Sequence, residues 1–353
     1  MKACIDRLIA AARRAPSADN CQPWRLVRLQ NGLRVEFDAE RSASGFGPRD
    51  PATLLAMGML IENVVAAADE AGMVLQTRLN PGGVTDIGQA AWYLNAVIDR
   101  CPEGVSELPR LDPLWRRHTN RFGYRETALP SALLAELAAL GDAAARVEVL
   151  REPGSIRDVA ALVQRGSRLR FRIREVHQWL VDSLRVTPDD VARGDGLDVE
   201  TLDLPPGGGL LLRLISDWSR MQRLNRLGMY RMLAAVDSRP VAAAPALLAI
   251  TGAADAHTCL AAGRMLAQAW YRLEAAGVAA QPYYVISDMQ ERLDRGGIPA
   301  PLLDEARTLA ADTGRVFGLA DGERLLMLLR IGFARRTAPR SRRLPFDALD
   351  ADA

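Results

Sequence analysis

Leu55-Ala56-Met57-Gly58-Met59-Leu60-Ile61-Glu62-Asn63-Val64-Val65-Ala66-Ala67-Ala68-Asp69-Glu70-Ala71-Gly72-Met73-Val74-Leu75-Gln76 decides the reading of this chain, because its spacing returns further on. The second copy is Leu260-Ala261-Ala262-Gly263-Arg264-Met265-Leu266-Ala267-Gln268-Ala269-Trp270-Tyr271-Arg272-Leu273-Glu274-Ala275-Ala276-Gly277-Val278-Ala279-Ala280-Gln281. Gly58, Gly72 and Gln76 match Gly263, Gly277 and Gln281 in spacing. Each stretch reads as a long, largely buried helix, closed by a C-cap glycine and followed by an extended segment. Gly58 and Gly263 would let one helix approach another closely. The alternative is two unrelated alanine-rich core helices.

Working outward, the first half opens with a helix over residues 5–14 and a loop over 16–24. Two alternating runs, 24–29 and 33–37, flank Asn31-Gly32, the strongest short hairpin signal. Residues 75–79 and 90–98 read as further strands. The second half opens near Leu111, with a helix from Ser131 through Leu140 and a strand over 147–150. Residues 153–235 do not fit the repeat. They read as helices over 156–164, 169–185 and 210–231, broken by Thr187-Pro188-Asp189-Asp190, Gly194-Asp195-Gly196 and Pro205-Pro206-Gly207-Gly208-Gly209. An insertion of this size between core elements is often a lid. The core resumes with strands over 246–250 and 325–331 and ends in an arginine-rich tail over 334–353. The domains are therefore 1–110 and 111–353.

Composition excludes several classes. With 353 residues, 49% hydrophobic and 25% charged, the chain suits one large or two ordinary globular domains. A net charge of +2 carries no nucleic-acid or membrane signature. Lys2 is the only lysine, so any anion site must be built from arginine, which favours bidentate contacts. Cys4, Cys21, Cys101 and Cys259 show no C-x-x-C spacing, so zinc and thioredoxin-type readings fail and no metal site is expected. They read as reduced thiols of a cytosolic protein. Charges interrupt the N-terminal apolar run, so no signal peptide is expected, and residues 241–251 are too short to span a bilayer.

Two stretches carry the chemistry. Pro16-Ser17-Ala18-Asp19-Asn20-Cys21-Gln22-Pro23-Trp24 sets short donors and acceptors on a restrained backbone, suited to a planar heterocycle, or it is a plain turn between helix and strand. Arg117-His118-Thr119-Asn120-Arg121 places two arginines about a hydroxyl, an anion cradle or a solvated basic turn. His118 has no evident carboxylate or serine partner, so a catalytic triad is not supported. His177 and His257 read as surface or capping residues. The cluster Arg335-Arg336 and Arg340-Ser341-Arg342-Arg343 is a phosphate contact, a solvated tail or a DNA-binding arm. Neither a G-x-G-x-x-G nor a P-loop is present.

Together these stretches resemble the nitroreductase superfamily of FMN enzymes. Residues 16–24 resemble its Pro-Ser-x-x-Asn-x-Gln-Pro-Trp loop, and Arg117 to Phe122 its Arg-x-Ser/Thr-x-Arg/Lys-Phe motif. Gly263 to Pro282 resembles its core helix, and Leu329 to Phe333 its closing strand. The tandem layout looks most like the Acg-type branch, in which two nitroreductase-like halves are fused. The resemblance implies an α+β fold: a pseudo-dimer of two halves, each a mostly antiparallel sheet flanked by helices, with a helical lid insertion. Ordinary members are homodimers with two interfacial FMN sites. Here the first half has only the Pro-Ser loop, while the second has the arginine motif and basic tail, with Leu140 to Ala145 in place of the loop. The implied result is one composite FMN site.

By that resemblance, Arg117 and Thr119 would meet the phosphate and ribityl end. Arg121 would face the pyrimidine edge, where a cation stabilises the reduced flavin. Ser17 and Asn20 would line the ring. Backbone at Tyr284 and Val285 would present an N–H to flavin N5, and Arg336, Arg340 and Arg342 would complete the phosphate cradle. No side chain is expected to be an essential acid or base. The implied activity is an FMN-dependent oxidoreductase with hydride transfer at N5. NAD(P)H is the implied donor, and a nitroaromatic, quinone-like or dedicated small molecule the second substrate. The alternative is an FMN-sequestering stress protein with little turnover. A cytoplasmic monomer acting as its own pseudo-dimer, or a weak homo-oligomer, is expected.

Overall fold

Pro51–Glu70 and Ala256–Ala275 form twenty-residue helices packed along their length. The computed structural model describes residues 1–42, 46–83, 91–106 and 113–352. Pro51 opens the first helix at a position that needs no amide donor. Asp255 opens the second by accepting from the His257 and Thr258 amides. Gly72 and Gly277, at φ 65° and 69°, take the left-handed conformation just beyond each helix end. The first helix is long and apolar enough to cross a membrane, but 89% of that window is buried inside the protein. It is a core helix, and its hydrophobicity is spent on packing.

Each long helix belongs to an antiparallel sheet of the same order. Trp24–Leu29, Gly32–Phe37, Val74–Leu79 and Trp92–Arg100 run first, second, fourth, third across one sheet. Ala145–Leu150, Ala246–Ala253, Ala279–Tyr283 and Glu323–Gly332 run in that order across the other. The helix links second and third strands in both. The Asn31-Gly32 hairpin forms as expected, with Leu29 opposite Gly32. A Cβ at Gly32 would lie 2.0 Å from the Ala96 carbonyl, so only glycine fits. The strand expected over 90–98 is Trp92–Arg100, and Ala90 lies outside the described residues, as does the expected boundary at 110–111.

Four expectations need correction. The tail does not end as a solvated run: Asp350–Asp352 joins the first half's sheet as a strand parallel to Leu26–Arg28. The insertion is not one covering layer. Its first helix, Pro153–Arg170, is core, with Ile156, Val159, Leu162 and Val163 packed with Tyr283, Val285 and Leu328. Residues 210–231 split into Gly208–Ile215, Trp218–Arg226 and Met229–Ala242, because Asp217 caps a new start and Gly228 turns left-handed at φ 93°. Finally, Cys4 and Cys101 form a disulfide across 97 residues, whereas Cys21 and Cys259 are free. The fold carries the first helix onto the end of strand Trp92–Arg100, a proximity that cysteine spacing does not reveal.

Candidate functional site

The loop over 16–24 follows helix Lys2–Ala12 and is held by its own side chains. Ser17 Oγ accepts from the Gln22 amide at 2.8 Å. Asp19, Asn20 and Gln22 sit at φ 45°, 59° and 52°, a region that aspartate and asparagine tolerate and glutamine resists. Gln22 is kept there by its buried amide, which donates to the Asn20 and Gly194 carbonyls and accepts from the Leu344 amide. Trp24 then enters the core as the first strand begins.

The second stretch is braced by the second half's sheet. The Asn120 amide donates to the Ala280 carbonyl at 3.0 Å, and Thr119 bridges to Ala280. Asn120 Oδ1 accepts from the Phe122 amide, and Tyr124 Oη donates to the Asn120 carbonyl. Buried Arg330 lies under this turn, 4.1 Å from the Tyr124 ring centroid, and donates to the Phe122 carbonyl and to Gln281.

Where the two stretches meet, guanidinium groups crowd together. Arg117 is 2% exposed, stacks 4.6 Å from the Trp270 ring centroid and donates to the Arg14 carbonyl at 2.6 Å. Arg14 and Arg340 both donate to the Trp115 carbonyl. Arg343 donates to Asn20 Oδ1 at 2.7 Å and to the Arg13 carbonyl. Burial and then neighbouring Arg14 push Arg117 down to about 10. Arg14 is lowered by burial and then by Arg340 and Arg13, and Arg343 falls well below the usual range through burial and the charges of Arg117, Arg14 and Arg13. Glu274 offsets part of this at Arg117 and also sits 3.7 Å from His118 Nδ1. Arg14 Nε and Arg117 Nε and Nη1 are buried without hydrogen-bond partners. Buried donors that cannot shed their charge call for an anion.

Asp19, Cys21, Arg121, Tyr284 and Arg343 are each half-buried. Burial raises the Asp19 carboxyl, against the opposing Trp179 hydrogen bond and Arg121 charge. Burial lowers Arg121, against the Asp19 charge. The insertion reaches both stretches. Trp179 Nε1 donates to Asp19 Oδ2 at 2.6 Å, Arg121 lies 3.5 Å from Thr201 Oγ1, and the Gly194 carbonyl accepts from Asn20 and Gln22.

The expected residues fall into two groups. Asn20, Arg117 and Arg340 join the guanidinium cluster, Arg121 lies by Asp19 and Thr201, Ser17 bonds within its own loop, and Thr119 bridges to Ala280. Tyr284 precedes helix Val285–Asp294, so Val285 opens that helix with its amide free of the helical ladder. Arg336 and Arg342 do not join the guanidinium cluster. Arg336 pairs with Asp203 and stacks on Phe122, 4.2 Å from the ring centroid, while Arg342 is exposed and its carbonyl accepts from Asn20 and Arg343. Arg343, Arg13 and Arg14 take their place. The Arg13-Arg14 pair, separated from Pro16 only by Ala15, is a visible signal. His177 is not a surface residue: it is 4% exposed, and its Nε2 lies 2.7 Å from the carbonyl of Ile215, the last residue of helix Gly208–Ile215, a capping contact.

No family model matches the sequence. An uncharacterized protein of Mycobacterium tuberculosis (strain CDC 1551 / Oshkosh) is 28% identical over 288 residues, covering 77% of this chain and 37% of that protein. The chain thus spans little more than a third of that relative's length. Among solved structures, the FMN-dependent nitroreductase NfnB of Mycobacterium smegmatis in complex with NADPH is similar at 16% identity, over 66% of this chain and 92% of that one, with a TM-score of 0.36. Iodotyrosine deiodinase bound to FMN and 3-iodo-L-tyrosine is similar at 12% identity, over 66% and 94%, with a TM-score of 0.34. A nitroreductase with bound FMN from Bacteroides fragilis NCTC 9343 is similar at 10% identity, over 64% and 89%, with a TM-score of 0.33.

Proposed function

We propose that the chain is an FMN-dependent oxidoreductase that binds one FMN between residues 16–24 and residues 117–121. The observation that carries the reading is the set of buried arginine donors at Arg14 and Arg117 with no bonded partner. A phosphate monoester supplies both the charge and the acceptor oxygens that this set lacks. Arg14, Arg117, Arg340 and Arg343 would hold the phosphate, and Thr119 the ribityl end. Ser17 and Asn20 would line one side of the ring, Arg121 its pyrimidine edge, and the Val285 amide its N5. When bound, FMN supplies hydride transfer and passes electrons to a second substrate.

We take the two halves as a fused pair. The matching strand orders and the reciprocal glycines on the long helices support this. The mirror site is lost because residues 140–145 close as a tight turn, in which Asp142 Oδ1 accepts from the Ala144 amide at 2.7 Å and the Ala145 amide at 3.2 Å. The visible spectrum and flavin count of the purified chain test the reading: one flavin per chain is expected, and two or none would overturn it. NAD(P)H is the proposed donor, and a nitroaromatic, quinone-like or dedicated small molecule the acceptor.

A second reading, FMN sequestration with little turnover, is favoured by the fastening of residues 174–203 to the loop over 16–24 through Trp179 and Gly194 and to Arg121 through Thr201. Stopped-flow mixing with NADPH and with NADH separates the two. Reduction by either supports turnover, and tight stoichiometric FMN reduced by neither supports sequestration.

A further inference from the structure

The end of the insertion carries a surface that the site does not use. Helices Gly208–Ile215, Trp218–Arg226 and Met229–Ala242 close on a small core of Phe171, Ile215 and Met221. Their outer faces are not simply polar. Leu210 is 75% exposed, Leu227 86% and Val236 56%, with Leu214 and Met232 also exposed. Arginines share those faces at helical spacing: Leu210, Arg213 and Leu214 on the first helix, Arg220, Arg223 and Leu227 on and just past the second, and Met232, Val236 and Arg239 on the third.

The charge on this segment is one-sided. Residues 207–242 hold six arginines against Asp217 and Asp237, while the whole chain is only +2. Both aspartates are engaged elsewhere. Asp217 caps the second helix, and Asp237 bonds Ser167 and Arg170 on the insertion's first helix. None of the six arginines forms an ion pair among the described residues; Arg231 stacks on Tyr230, 5.5 Å from the ring centroid. A near-neutral total therefore conceals a segment whose helices each expose cationic and apolar side chains.

We propose that this face docks on a bilayer surface containing anionic phospholipid. Such a surface takes both features at once: leucines enter the acyl boundary while guanidiniums meet phosphate headgroups. A second copy of the chain would bring like charges together. A hydrophilic acidic partner would leave the leucines without an apolar counterpart. The proposal is independent of the flavin reading, because none of these residues belongs to the guanidinium cluster or to residues 16–24 and 117–121.

The test is co-sedimentation of the full flavin-loaded chain with phosphatidylcholine vesicles, with and without phosphatidylglycerol. Binding is expected only to the anionic vesicles, and weaker as salt is raised. Two triple variants, L210Q/L214Q/L227Q and R220Q/R223Q/R226Q, alter exposed positions, and each should lose at least tenfold in vesicle affinity with flavin content and circular dichroism unchanged. Failure of the parent to bind anionic vesicles at low salt overturns the proposal. So does leucine-variant binding equal to the parent's, which would mean charge attraction without insertion. Concentration-dependent self-association abolished by the leucine changes, with no vesicle binding, would assign the face to a second copy instead.

Discussion

Gly58 and Gly263 face each other across the crossing of the two long helices. A Cβ on Gly58 would sit 2.2 Å from the Leu260 carbonyl and 2.9 Å from Gly263 Cα, and one on Gly263 would sit 2.3 Å from the Leu55 carbonyl. The obstacles are backbone, which cannot swing aside as a side chain can. Gly58→Ala and Gly263→Ala should each destabilise by ~1–3 kcal/mol or more by forcing the helices apart. Because one displacement relieves both clashes, the double variant should cost less than the sum in urea unfolding. Additive losses would mean the two positions do not share a contact.

The Cys4–Cys101 bond closes a loop of 97 residues, tying the first helix to the end of strand Trp92–Arg100. Restricting the unfolded chain over so long a loop should be worth ~2–5 kcal/mol. Cys4→Ser, or the parent in excess dithiothreitol, should therefore melt at lower temperature, and mass spectrometry of the unreduced chain should find the cross-linked peptide pair. An identical melt with and without reductant would place the two thiols apart.

What the sequence made legible was local or periodic. The paired helix glycines, the Asn31-Gly32 hairpin and the two site stretches each announce themselves within a few residues. What it concealed was long-range register. Arg336 and Arg343 lie in one basic tail, and nothing in composition says that Arg343 turns in toward Asn20 while Arg336 turns out to Asp203. Asp350–Asp352 forms its strand on the strength of the edge left open at Leu26–Arg28, with no β-favouring residues of its own. The Trp179–Asp19 contact spans 160 residues and depends on how the insertion folds back. The splits at Asp217 and Gly228, by contrast, follow ordinary capping chemistry and were readable.

Glu291 links the helix that begins at Val285 to the start of the first long helix, through Arg295, which pairs with both Glu291 and Asp50. Burial pushes Glu291 from the ordinary 4.5 up to about 7, with Arg295 opposing and Asp50 adding repulsion. The folded protein then holds this proton more tightly than the unfolded chain does. The associated stability is fully present below about pH 4.5 and is lost as pH rises toward about 7. Glu291→Gln, which stays neutral, should flatten that fall. Melting temperatures of parent and variant across this range check it, and parallel curves would show that Glu291 titrates normally.

Trp179 reaches the loop over 16–24 through one hydrogen bond to Asp19 and packs edge-on against Phe46 at 5.7 Å. Trp179→Phe keeps a ring but deletes the donor. If the insertion limits access to the flavin, its reduction by NADPH should become several-fold faster in the variant, with flavin content unchanged. An unchanged rate would show that residues 174–203 do not gate the donor.

Arg117 offers the sharpest test, because its two roles pull in opposite directions. In the absence of an anion its guanidinium is buried among Arg14, Arg340 and Arg343, with Nε and Nη1 unbonded, an arrangement that costs stability. Arg117→Met fills similar space without the charge, and its chain can still lie against Trp270. The flavin-free variant should therefore melt at or above the parent's temperature. With FMN bound the order should reverse, since a charged hydrogen-bonding group to phosphate contributes ~1.5–3 kcal/mol, a loss of roughly tenfold or more in affinity. Isothermal titration with FMN and melts with and without it supply both halves. A variant destabilised equally in both states would make Arg117 a structural arginine and remove the main support for the phosphate assignment.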